Sequence, residues 1–184
     1  MSGGLIVART GVYIKGLLAI PGLALVCLMP TIIADAANPE SVTVDMTFLD
    51  PITITENESL RFGLLDVNMA NLETVVIAPN DSLTDAGGNV LGGTQAAAEL
   101  TVTATASQSI TILVDNVSSA TGYVLETWMC HYDTAGPDSA CDGSGYTETS
   151  VGSAILTIGA TLKGNGAAVA GNDDSTFDVT VTYQ

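Results

Sequence analysis

The chain has 184 residues, 20 acidic side chains against 4 basic ones, and a formal net charge of −16. A polyanion with so few cations does not bind nucleic acid or anionic lipid through charge. Three meanings of the charge remain: a soluble self-repelling surface, divalent-cation binding, or life at high salt.

Residues 1–36 read as an export signal. Arg9 and Lys15 form a positive start, Gly16 to Ile33 is mostly apolar, and Ala34-Asp35-Ala36 is an A-x-A cleavage site. The run approaches the roughly 20 residues that span a bilayer. Pro21, Pro30 and the small-residue exit favour cleavage over an anchor helix, and Val26 before Cys27 argues against lipidation. Cleavage removes two cations and one anion, leaving 148 residues at net −17 with Arg61 and Lys163 as the cations. That length suits one domain, and no membrane association is expected after cleavage.

Residues 37–49 are expected to form an N-terminal strand. Val42, Val44, Met46 and Phe48 alternate with Thr43, Asp45 and Thr47, the period of a β-strand with one apolar face. Residues 50–184 then read as β throughout. Short strands are expected at Ile52–Thr55, Leu60–Val67 and Glu73–Ala78, followed by a loop over 79–93. Further strands are expected at Glu99–Thr105, Ser109–Asp115, Gly122–His131 and Ala154–Lys163. Helix signals are thin: one turn each at Gln95–Leu100 and Asn68–Leu72. In the last strand Phe177, Val179, Val181 and Tyr183 alternate with Asp178, Thr180 and Thr182. The sequence stops one residue later, so this strand is expected to need a partner along its edge. The fold class is all-β: an immunoglobulin-like antiparallel β-sandwich of about seven to nine strands after a cleaved signal peptide.

Cys130 and Cys141 survive processing, and export places them in an oxidising compartment, so a disulfide is expected. The alternative is a metal site from Cys130, His131 and Cys141, which lacks a fourth ligand at zinc spacing. Two acidic clusters, Asp133 with Asp138 and Asp142, and Asn172 with Asp173 and Asp174, offer oxygens to calcium. Neither has EF-hand spacing, so they read as solvated turns; no cofactor is expected, and calcium is expected to leave the melting temperature unchanged. His131 is the one histidine, and no serine sits in a G-x-S-x-G turn, so no enzyme is expected. The N-x-S sequons at Asn57, Asn80 and Asn116 read as chance in a chain with a bacterial type of signal.

Pro51, Ile52, Thr53, Ile54 and Thr55, a polar gap, then Leu60, Phe62 and Gly63 form a pattern that resembles the opening of a bacterial secreted family, DUF4402: P-L-T-I-T, then L-x-F-G. Val151 to Tyr183 is similar to its closing G-x-L-x-[VI]-G strand, glycine-rich turn and F-x-V-T-V-x-Y strand. The resemblance spans about residues 42–184; the cysteine pair departs from the pattern. It implies kinship with spore-coat and chaperone–usher pilin-like surface proteins. There the C-terminal strand borders a groove that a periplasmic chaperone fills first and a neighbour's N-terminal strand fills later. Carried over, Val42, Val44, Met46 and Phe48 become a donor strand. Phe177, Val179, Val181 and Tyr183 become the acceptor groove.

The expectation is a structural subunit of a fibre or surface layer. It passes through the periplasm to the cell surface or medium and assembles with identical subunits by strand exchange, with a chaperone and usher as further partners. Alternation does not say whose sheet a strand joins. The alternative is a self-contained, adhesin- or lectin-like binding domain, in which residues 42–48 are simply the first strand. Both versions require each end of the processed chain to belong to a sheet.

Overall fold

The computed structural model describes residues 41, 43–118, 121–133, 137–171 and 175–184. The chain divides into two compact units, Met1–Val44 and Asp45–Gln184. The expected signal peptide and Val42 lie outside the described residues, as do Asn172, Asp173 and Asp174.

The second unit is all-β. Its strands are β1 (Thr53–Glu58), β2 (Leu64–Leu65), β3 (Thr74–Ile77), β4 (Leu83–Asp85), β5 (Val90–Gly92) and β6 (Ala98–Thr103). They continue as β7 (Ser109–Asp115), β8 (Tyr123–Tyr132), β9 (Ser139–Ala140), β10 (Tyr146–Thr149), β11 (Ser153–Gly164) and β12 (Asp178–Tyr183). Every pairing is antiparallel. The large sheet runs β1-β6-β11-β3-β4, with β8 along the other side of β11 and β9 on β8; the small sheet runs β10-β7-β12; β2 and β5 form a ribbon.

The strand β11 organises the large sheet. One edge pairs with β6 over Ser153–Ile158 and then with β3 over Ala160–Lys163, while the other pairs with β8. Gly159 sits at the handover. A Cβ there would lie 2.2 Å from the Ile77 carbonyl oxygen, so only glycine lets the two backbones approach.

Period-two patterning puts one face of each long strand inside. Leu100 and Val102 of β6, Ile110, Ile112 and Val114 of β7, Trp128, Cys130 and Tyr132 of β8, and Leu156 and Ile158 of β11 are all buried in one cluster. Because that cluster joins the large sheet to the small one, the two sheets pack face to face as a sandwich. A second cluster of Met69, Val75 and Leu162 lies beside the ribbon.

Several sequence expectations need correction. The described residues form 12 strands, not seven to nine, because residues 79–93 hold β4 and β5, the cysteine loop holds β9, and the stretch after Cys141 holds β10. Leu60–Val67 is not one strand: Gly63 takes φ +82°, which bends the chain and leaves the Arg61–Ala96 bridge and β2. Gln95–Leu100 is not helical, since Ala96 bridges to Arg61 and β6 begins at Ala98. Asn68–Leu72 is a turn, tied by Asn68 N–H donating to the Asp66 carboxylate.

The largest correction is at the N-terminal end. Thr43 to Asp50 forms no strand, and Val44, Met46 and Phe48 are 73%, 74% and 88% exposed. These residues have the alternation of a strand but join no ladder among the described residues. The expected N-terminal strand is therefore not formed by residues 43–49 within this chain's described residues. The requirement that both ends belong to sheets is met only by β12.

Candidate functional site

The last strand, β12, is the outer strand of the small sheet. It pairs with β7 from Asp178 opposite Asp115 to Tyr183 opposite Ile110. The described residues supply no strand to its other side. A free edge leaves alternate backbone N–H and C=O groups open to a further strand.

The side chains follow the expected alternation. Val181 is buried, Phe177, Val179 and Tyr183 are half-buried against the main core, and Asp178, Thr180 and Thr182 are exposed. The Phe177 ring packs on Trp128 at 4.6 Å between centroids. The four apolar residues expected to line an acceptor groove thus pack against their own core, and the free feature of β12 is its backbone edge. Gln184 continues the strand's hold on its sheet: its N–H donates to the Ser109 carbonyl and its amide Nε2 to the Thr111 and Thr147 hydroxyls.

Tyr183 also reaches across to the large sheet. Its hydroxyl accepts from the Thr105 N–H at 2.6 Å and donates to the Asp50 carbonyl at 2.8 Å. The Asp50 N–H donates to the Thr105 hydroxyl at 2.7 Å. Three residues from three distant stretches thus close one latch at the end of β12, and residues 45–49 leave the domain from that latch. Sequence reasoning missed it, because nothing in a local pattern says what a tyrosine hydroxyl meets.

Next to the latch, β1 forms an edge of the large sheet. Among the described residues it pairs with β6 alone, and all six of its residues are exposed. Ile54 stands opposite the fully buried Val102 yet is itself exposed, so the inner face of this strand is poorly covered.

The opening-motif residues divide by role. Thr53 and Ile54 belong to β1, and Pro51 leads into it. Ile52, Leu60 and Phe62 pack on the main core. Gly63 supplies the bend, where a Cβ would lie 2.5 Å from the Gly92 carbonyl oxygen. The motif therefore builds the first edge of the sandwich and no reactive centre.

Cys130 and Cys141 are joined, with Cα atoms 5.7 Å apart, and both are fully buried. Bonded to each other, they are not thiolate ligands, which removes the metal alternative at Cys130, His131 and Cys141. His131 Nδ1 lies 3.0 Å from the Asp138 carboxylate, beside an open depression lined by Asn80, Asp133 and Thr157. No group of three or more His, Cys, Asp or Glu among the described residues is placed to hold a metal. Trp128 is buried, so it offers no exposed ring to a sugar.

Two carboxylates are held below their usual range. The Asp85 carboxylate accepts from the Val90 N–H first, and also from Asn89 and Gly87, across the turn between β4 and β5. Glu148 accepts from the Tyr146 hydroxyl and from the Thr149 N–H. Burial and the neighbouring Glu148 carboxylate push the Tyr146 phenol up in turn.

Comparison with known proteins gives one family. The profile of DUF4402, a domain of unknown function, matches residues 52–183. No curated protein and no solved structure matches the chain.

Proposed function

The chain belongs to the DUF4402 family, and from that premise we propose that it is a structural subunit of an extracellular fibre or surface layer that assembles by β-strand complementation. Residues 43–49 of one copy add to the free edge of β12 in the next, becoming a strand only there. Export through residues 1–36 takes the subunit across the periplasm, where a chaperone covers the same edge before an usher and a neighbour replace it. The role is architectural, without catalysis.

One observation carries this reading. A segment with the period of a strand, and with Met46 and Phe48 bare, leaves the domain at the end of β12, to whose outer edge the described residues add no strand. Burying Val44, Met46 and Phe48 on a neighbour is worth roughly 4.5–9 kcal/mol before ordering is subtracted. A backbone ladder adds direction and register.

The second reading, a self-contained secreted binding domain, draws on a different fact: the main core closes without residues 43–49. One experiment separates the two. Protein lacking residues 37–49 is compared with the intact mature chain by electron microscopy. Filaments that vanish on truncation and a melting rise when a peptide of residues 41–49 is added to the truncated form support exchange. An intact chain that stays monomeric at high concentration, with no effect of the peptide, overturns it.

A further inference from the structure

The latch at Asp50 restricts which copy can supply the strand. The strand β12 runs toward Tyr183, and the Tyr183 hydroxyl holds the Asp50 carbonyl at 2.8 Å. Residue 49 is one peptide from that point, and consecutive Cα atoms are about 3.8 Å apart. An antiparallel ladder over the full length of β12 would place residue 43 near Tyr183 and residue 49 near Asp178. Those ends of β12 are about 16 Å apart at roughly 3.3 Å per residue. One peptide link does not cover that distance. With the latch closed, a chain's own residues 43–49 can lie along the whole of its β12 only by turning back and running parallel to it.

Resting on the strand-exchange reading, we infer that the Asp50–Tyr183–Thr105 latch makes full-length antiparallel pairing of residues 43–49 with β12 available only between two copies. The occupant of the edge is a second copy of this chain, running opposite to β12. Every pairing in the rest of the sandwich is antiparallel, and antiparallel ladders are the slightly more stable kind. The latch thus blocks antiparallel self-closure and leaves a chain's own segment only the parallel arrangement, the slightly less stable kind. Tyr183 acts as a positioning residue for the segment that departs at Asp50.

The test measures distances by paired spin labels on the full chain in a Cys27→Ser background. One population carries Thr43→Cys, and the other carries either Thr182→Cys or Asp178→Cys. Mixtures of singly labelled copies read only distances between copies. Doubly labelled copies diluted in unlabelled protein read distances within one. The expected result is a short separation between copies from position 43 to 182. The separation from 43 to 178 is longer by roughly 13 Å, four residues of strand, and no short distance occurs within a copy. The reverse order between copies overturns the direction and leaves strand exchange standing. A short 43–182 distance within one copy overturns the latch's blocking role. A short 43–178 distance within one copy, or no approach to β12 at all, overturns strand exchange itself.

Discussion

The Tyr183 hydroxyl donates to the Asp50 carbonyl across 133 residues of sequence, while accepting from the Thr105 N–H at 2.6 Å. It joins the edge strand of one sheet to the entry of the first strand of the other. Tyr183→Phe keeps the ring's packing and deletes both bonds. Losing the partner of a half-buried N–H is worth about 1–3 kcal/mol. The expected outcome is that loss in denaturant unfolding, with faster amide exchange at Thr105 and unchanged exchange in β11. Equal stability and unchanged exchange at Thr105 would show that the latch holds nothing.

Gly159 has no room for a side chain. A methyl group there would lie 2.2 Å from the Ile77 carbonyl oxygen and 2.7 Å from the Ala78 carbonyl carbon, both backbone atoms. Gly159→Ala is expected to destabilise the fold by about 3 kcal/mol, the upper end of ordinary overpacking. Gly143→Ala is the control for generic loss of glycine: its site has open space but a φ of +63°, so about 1 kcal/mol is expected from backbone strain. Thermal unfolding of both variants reads the difference.

The disulfide closes a short loop, with a sequence separation of 11. Chain entropy assigns such a closure on the order of 2–3 kcal/mol. Replacing Cys130 and Cys141 together by alanine is expected to lower stability by at least that amount. Trp128 shares a buried face with Cys130, so its fluorescence should change at the same time. Reductant is expected to reproduce the shift in the parent and to do nothing in the double variant.

Acid should loosen the fold through two named carboxylates. Asp85 and Glu148 are both held below their ordinary values of 3.8 and 4.5. A depressed folded value means stability that is present above the unfolded value and lost as pH falls through the folded one. The acid loss is therefore expected to begin below about pH 4.5 and to shrink in Glu148→Gln. Tyr146 has the opposite sign. Its folded value is raised above 10.0, so its contribution is complete below pH 10.0 and fades as the solution becomes more alkaline. Melting curves from pH 3 to pH 11 in the parent, Glu148→Gln and Tyr146→Phe check all three expectations.

Calcium at millimolar concentration is expected to leave the melting temperature where it is. Asp138 faces His131, and Asp133 and Asp142 do not gather with it into a ligand set. A rise of several degrees would restore the acidic turns as a cation site.

Much of the sandwich was legible in the spacing of valine, isoleucine, leucine and threonine. Ile110, Ile112 and Val114 face inward as their alternation requires, and β7 spans Ser109–Asp115 as expected. The same holds for Ala154, Leu156 and Ile158 on β11. Short elements were not legible. With two residues each, β2 and β9 have no period to detect and exist because longer neighbours offer them an edge. Gly63 and Gly159 carried no mark distinguishing a bend from a close backbone approach; only their neighbours supply that.

At the candidate site, the sequence by itself determined which side of each terminal segment is apolar, because successive side chains on an extended backbone point opposite ways. It did so equally for residues 42–48 and for β12. Tertiary structure decided the rest: β12 has β7 beside it, residues 43–49 pair with no strand among the described residues, and Tyr183 meets Asp50. A side chain's direction follows from its nearest neighbours in the chain, whereas a strand's partner is chosen among segments a hundred residues away, by a core that exists only once both sheets have come together.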